Sequence, residues 1–251
     1  MDNALENRLG ALMAMTPSRV RLDGNADALP LKNLLSFQED HAAARDAIYT
    51  PLDSAALQSV LQDVFDVEAQ CLSSRAIDRA EYLKRPDLGR MLAQETQLEE
   101  KIAPLAIVIA DGLSPLAAMT HSVQLVAALR ACCPLAQDAP VYVVEQGRVA
   151  IGDAIGQMTG AQMVLVLIGE RPGLTVSDSL GAYLTWAPKI GTRDSARNCV
   201  SNIHANGGLS YAAAAARIHW LVAAAQKVRF TGVGLKDNSP VAGNTMFPTL
   251  N

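Results

Sequence analysis

The 251-residue chain has four cysteines, Cys71, Cys132, Cys133 and Cys199, and no two of them stand at C-x-x-C spacing. That pattern offers neither a zinc site nor a disulfide framework, and a reducing cytoplasm is the simplest home for such thiols. Positive charge is scarce as well. Twenty-one Lys and Arg against 25 Asp and Glu give a formal net charge of −4 and an isoelectric point near 5.6, which argues against a nucleic-acid partner. The longest apolar runs, around 104–110 and 163–168, fall far short of the roughly 20 residues a bilayer span needs. The N-terminus lacks the charged-then-apolar order of a secretion signal. No membrane association is expected.

Familiar chemical signatures are missing too. No G-x-G-x-x-G opens a helix after a strand, and no G-x-x-x-x-G-K-[ST] occurs. Ser114 lies outside the G-x-S-x-G setting of a nucleophile elbow. His41, His121, His204 and His219 form no H-E-x-x-H or comparable ligand pair, and His121 and His219 fall within expected helices. Those two read as packed or solvated side chains.

What remains is a chain built to fold. Half its residues are hydrophobic and 18% are charged, which suits a packed core and not a disordered polymer. Leu5, Leu9, Leu12 and Met13 predict a short amphipathic helix over 3–15. It is either packed on its own domain or a docking tag; the sequence leaves both open. Further helices are expected in "LKNLLSFQEDHAAARDAIY", from Asp53 or Ser54 through Phe65, and after Pro86-Asp87 through Leu88, Met91 and Leu92. Residues 1–100 thus form a helical N-terminal region. Beyond it, "PLAIVIADG", "PVYVVEQG" and "AQMVLVLIGERPG" are short β-branched runs alternating with helical stretches, "LGAYLTW" is a further strand, and "LSYAAAAARIHWLVAAAQKV" is a closing helix. The expectation for 101–251 is an α/β domain, with a mostly parallel Rossmann-like sheet covered by helices on both faces. The tail after Phe230, rich in Gly, Asn and Pro, reads as loosely ordered.

Ligands of such sheets bind beyond the carboxyl ends of the strands. Three loops leave successive strands there: Asp111-Gly112-Leu113-Ser114, Glu145-Gln146-Gly147-Arg148 and Gly169-Glu170-Arg171-Pro172-Gly173. Each joins a polar side chain to a glycine, which lets a ligand approach backbone. The polar stretch "RDSARNCVSNIHANGG" reads as a long loop, and long ordered loops often bind. On these residues alone, a stand-alone α/β enzyme holding a nucleotide or small phosphorylated ligand at the strand C-terminal edge stays open.

The segments "FQEDHAAARDAI", "YLKRPDLGR", "ADGLS", "GERPGL…SDSLGAYLTWAPK" and "RNCVSNIHANGG", in this order over roughly 17–227, resemble the small (light) chain of ethanolamine ammonia-lyase. The resemblance implies a lyase that converts ethanolamine to acetaldehyde and ammonia by radical elimination with adenosylcobalamin. It is active only as a complex with a large catalytic subunit and forms a higher-order hetero-oligomer. The small chain helps to bind the corrinoid at the interface between the two, which would make 101–251 the cobalamin-binding domain. Cofactor contacts carry over to Val149, Glu170 and Cys199; no catalytic residue and no metal ligand is implied here. Arg197 could lower the Cys199 pKa. The D-x-H-x-x-G motif of proteins that replace the cobalamin base with histidine is missing, since Asp40 and His41 are adjacent, so a base-on cofactor is expected. The resemblance also adds a protein-shelled bacterial microcompartment as a location within the cytoplasm. The first fifteen residues are short for the family, the segment "LDGNADALPLKNLL" is looser than usual, and one residue is missing between Glu170 and Cys199.

Overall fold

The computed structural model describes residues 31–239 together with Ala11; the helix expected over 3–15 lies outside the described residues. Helix α1, Leu31–Tyr49, follows the apolar spacing read from the sequence, although its buried side chains are Ala44 and Ala47 near its end. Helix α2, Ser54–Phe65, starts where Asp53 accepts the N–H of Ala56, and it buries Leu57 and Leu61. An N-cap of this kind satisfies a donor that the first helical turn leaves unpaired. Next come β1, Gln70–Ser73, and α3, Arg79–Lys84, capped by Asp78.

The helix expected after Pro86-Asp87 is not there. Leu88–Arg90 makes a single 3-10 turn and Met91 is extended. The reason is competition for backbone: Arg75 donates to the Met91 carbonyl and Ala93 to that of Ser73, at 2.9 and 3.0 Å. Chain that pairs with a strand end cannot also coil.

The rest alternates as the apolar runs predict. Strand β2, Ala106–Ala110, leads to α4, Pro115–Cys132, and the short α5, Pro134–Gln137. Strand β3, Val141–Glu145, leads to α6, Ile151–Thr159. Strands β4, Met163–Gly169, β5, Leu180–Trp186, and β6, Arg197–Ile203, precede the closing helix α7, Tyr211–Val228. The six-stranded sheet has the order β1-β3-β2-β4-β5-β6. Pairs β1–β3, β3–β2 and β2–β4 are parallel, whereas β4–β5 and β5–β6 are antiparallel. This is the mostly parallel, Rossmann-like α/β class, with an antiparallel extension on one side.

Strand side chains alternate between faces, and here each set has its own helices. Ile107, Ile109, Val143, Leu165 and Leu167 meet Leu125 and Leu129 of α4 and Ile218 of α7 in one cluster. Ala106, Val108, Val144, Val164 and Val166 meet Ile151 and Ile155 of α6 in the other. The five-alanine run of α7 buries Ala214 and Ala215, so it serves close packing.

Three expectations are corrected. Residues 70–73 add a strand to a region read as helical. The polar stretch at 197–203 is an edge strand, not a loop: Val200 and Ile203 are buried while Cys199, Ser201 and Asn202 are exposed. The tail just past Phe230 is fastened to that strand. Asn198 donates to the Leu235 carbonyl (2.7 Å) and accepts the N–H of Gly232 (2.8 Å), and Thr231 and Leu235 are buried.

An ion pair also holds β6. Arg197 Nη1 and Nη2 donate to the two carboxylate oxygens of Asp153 on α6 at 2.6 and 2.7 Å. The two side chains are 2% and 1% exposed. The remaining donors reach Thr185 Oγ1 (2.9 Å), the Thr192 carbonyl (2.8 Å) and Asp194 (3.4 Å). Removing one partner of a buried pair strands the other charge, at a cost of about 3–5 kcal/mol. Asp153→Asn should therefore lower the unfolding free energy in urea by about that much; a loss below about 1 kcal/mol, the range of an exposed pair, would show that the pair is not needed.

Candidate functional site

The three loops at the ends of β2, β3 and β4 do lie at one edge of the sheet, because those strands are parallel. Most of their polar groups, however, turn inward. Asp111, 1% exposed, accepts the N–H of Gly147 at Oδ1 and that of Gln146 at Oδ2, both at 2.8 Å, and Arg79 Nη1 at 3.2 Å. One carboxylate thus fastens the end of β2 to the end of β3 and to α3. Arg148 stacks over the Tyr82 ring at 4.4 Å while Arg79 lies 4.8 Å from the same ring, and the Tyr82 hydroxyl donates to the Gly147 carbonyl at 3.0 Å. Glu145 accepts from Ser54 Oγ. Ser114 is the buried N-cap of α4 and donates to the Ser177 carbonyl at 3.0 Å.

Two of the rim glycines, Gly112 and Gly169, serve packing as well. A Cβ on Gly112 (φ +55°) would collide with the Gly169 carbonyl, and one on Gly169 with that of Ser114. These two glycines let the ends of β2 and β4 touch, with Leu113 N–H bonded to the Gly169 carbonyl at 2.9 Å. Two of the three loops are therefore internal fastenings.

The third is different. Glu170 is half-buried. Its Oε2 accepts from Ser179 Oγ at 2.6 Å and from the N–H of Asn202 at 3.2 Å, so it spans the β4–β5 loop and the end of β6. Its Oε1 takes no hydrogen bond from the described residues; it lies against Gly181, where an added Cβ would come within 2.9 Å of it. Arg171, its sequence neighbour, is exposed and not paired with it. Beside Gly181 on the same face stands half-buried Tyr183, directly opposite Cys199 across the β5–β6 ladder. The Glu170 charge acts on both: it adds to the effect of burial in raising the Tyr183 and Cys199 pKa values.

Glu170 and Cys199 thus come together around Tyr183. Val149, just before α6, packs against the same large apolar cluster as Tyr183. The expectation that Arg197 lowers the Cys199 pKa is corrected. Arg197 is committed to Asp153, and partial burial of the thiol, with the Glu170 charge, raises it instead. Cys199 is a thiol at neutral pH, with no cysteine partner. Ser179, Gly181, Tyr183 and Asn202 were not singled out from the sequence; the alternation of β5, which puts 181 and 183 on one face, was the signal available.

Fold and face together define a class: a Rossmann-like α/β domain whose antiparallel side leaves one face half-covered. Among the described residues no cluster of His, Cys, Asp and Glu could hold a metal ion, and no helix is long and apolar enough to cross a membrane. The profile of the ethanolamine ammonia-lyase light chain family matches residues 6–236, and the chain belongs to that family. Three similar proteins carry the name ethanolamine ammonia-lyase small subunit. That of Azotobacter vinelandii is 46% identical over 249 residues, covering 95% of this chain and 92% of its own. That of Pseudomonas fluorescens is 45% identical over 92% of this chain and 87% of its own. That of Rhodococcus erythropolis is 44% identical over 92% and 90%.

The Asp111 fastening titrates in a testable window. Burial pushes its carboxyl up to about 6, against the lowering effect of Arg79 and the backbone donors. The fold then binds this proton more tightly than the unfolded chain does, so the contribution of Asp111 to stability falls as pH rises from 3.8 through about 6. Carbon-detected NMR of the Asp111 carboxyl should show a midpoint near 6, shared by the Gln146 and Gly147 amides; a midpoint at or below 3.8 would contradict the burial argument.

Proposed function

We propose that this chain is the small subunit of an adenosylcobalamin-dependent ethanolamine ammonia-lyase, and that the face formed by Glu170, Tyr183, Cys199 and Val149 holds the corrinoid against a large catalytic subunit. The observation that carries this reading is the unshared Oε1 of Glu170 beside Gly181. A corrin is fringed with acetamide and propionamide groups whose N–H bonds are donors. A carboxylate held by two protein donors on one oxygen and open on the other suits such a donor, and charge-assisted bonds of this kind are stronger than neutral ones.

Val149 and Tyr183 supply apolar contact, and Cys199 adds a neutral thiol at the edge. Because Ser179 and Asn202 already fix the carboxylate, less ordering entropy is lost on binding. When bound, adenosylcobalamin supplies the radical chemistry that turns ethanolamine into acetaldehyde and ammonia; this chain's residues bind and orient the cofactor while the large subunit handles the substrate. We assign a base-on cofactor. His204, two residues past Asn202, is 3% exposed with Nε2 hydrogen-bonded to Asn202 at 2.9 Å, and His41 lies on α1 beside Asp40.

The stand-alone reading, a nucleotide or phosphorylated ligand at the strand ends, loses support because the first two rim loops direct their polar groups into the protein.

Glu170→Gln removes the charge and the open acceptor while keeping the shape. A hydrogen bond to a charged group contributes about 1.5–3 kcal/mol, so cobalamin affinity of the assembled enzyme should fall about ten- to a hundredfold. Turnover at saturating cofactor should change little. Gly181→Ala, which displaces the carboxylate, should act in the same direction. The check is a cofactor titration read by ammonia release; unchanged affinity in both variants would refute the face, and lost assembly would assign it to the subunit boundary instead.

A further inference from the structure

A buried imidazole on a mostly apolar helix calls for a reason. His121 of α4 is 1% exposed, and its neighbours toward the core, Ala117, Ala118 and Leu125, need no polar group beside them. Both ring nitrogens are engaged. Nδ1 is 2.7 Å from the hydroxyl of Tyr211, the first residue of α7, and Nε2 is 3.3 Å from Asp178 Oδ2. A neutral imidazole satisfies both if Nε2–H donates to the carboxylate and Nδ1 accepts the phenol proton, a tautomer assigned from the partners.

Asp178 belongs to the loop that carries Glu170. That loop is held tightly on its returning side. Ser177 O accepts from Ser114 Oγ at 3.0 Å, Asp178 meets His121, Ser179 O accepts the Glu170 N–H at 2.9 Å, and Ser179 Oγ donates to Glu170 Oε2 at 2.6 Å. Its outgoing side, residues 171–176, is almost free: Gly173 N–H to the Val176 carbonyl is its one internal backbone bond among those described. The orientation of Glu170 therefore depends, besides the Asn202 N–H at 3.2 Å, on where residues 177–179 sit, and His121 is the side chain that meets Asp178 from the core.

We propose that His121 is a positioning residue for the corrinoid. Through Asp178 it sets Ser179, which turns Glu170 so that Oε2 is used internally and Oε1 faces the ligand. The proposal rests on the reading of Glu170 given above. It makes the chain Tyr211–His121–Asp178–Ser179–Glu170 one unit, linking the start of α7 to the binding face.

A double-mutant cycle on the assembled two-subunit complex tests this, with equilibrium dialysis of cyanocobalamin as the readout. His121→Phe fills the space without either bond. Affinity should fall about threefold to tenfold, the scale of one or two neutral hydrogen bonds, while turnover at saturating adenosylcobalamin stays within about twofold of wild type. In a Glu170→Gln background the same substitution should have no further effect on affinity, because the group it positions is already gone. Asp178→Ala breaks the link from the exposed side of the loop and should show the same dependence on Glu170; it carries the test if the His121 variant fails to fold. Equal losses in both backgrounds, or none in either, would overturn the proposal and leave His121 as packing between α4 and α7. If Glu170→Gln alone leaves cyanocobalamin affinity unchanged, the corrinoid face fails first, and the positioning role falls with it.

Discussion

The Arg197–Asp153 pair is the interaction that ties the edge strand, and with it the proposed binding face, to the rest of the fold. Strand β6 is an edge strand with one strand neighbour, and much of its sequence is polar. Burying two charges is costly unless their geometry is good and every remaining donor is met. Here all five guanidinium donors have acceptors, and the pair spans from the edge strand to the helix over the parallel half of the sheet. Asp153 lies four residues past Val149 and Arg197 two before Cys199. The same bond that stabilises the fold therefore ties together the segments that carry two of the three residues proposed to contact the corrinoid.

The open face itself follows from topology. A parallel strand must be reached by a crossover, and the crossover helix covers the sheet. Strands β2, β3 and β4 are accordingly closed on both sides, by α4 on one and α6 on the other. From β4 onward the chain returns antiparallel, through loops, so nothing obliges it to cover the second face. Helix α7 packs on one side of β5 and β6; on the other, Tyr183 stays half-buried and Cys199 exposed. The candidate site therefore reaches from the strand-end loop after β4, near where such sheets usually bind, onto the flat of the antiparallel extension. The strand-end crevice is closed by Asp111 and by the contact of Gly112 with Gly169.

Much of this was legible in the sequence. The β-branched runs located β2, β3 and β4, and the helices α4 and α7 fell where apolar spacing put them, because buried parallel strands and core helices leave strong patterns. Glu170 stood out because a charged residue followed an apolar run. What escaped was the edge. "QCLS" is four residues long with three exposed side chains, and "RNCVSNI" buries only every third residue, Arg197, Val200 and Ile203; neither shows the clean alternation of an inner strand. The rim glycines misled for a related reason. Sequence reveals that a glycine is present, but not whether ligand or a neighbouring carbonyl fills the space it leaves. The alternation that joins Gly181 and Tyr183 to Glu170 needed the β4–β5 register, which no local pattern specifies.

The central claim is that the corrinoid lies on the antiparallel face. Hydrogen–deuterium exchange of the assembled complex, with and without cyanocobalamin, tests it directly. The account predicts slowed exchange in residues 170–183 and 199–203, together with the segment from Val149 into α6, and little change along the opposite edge at β1. Slowing confined to the β1 edge or to the strand-end loops after β2 and β3, with 170–183 and 199–203 unaffected, would contradict it.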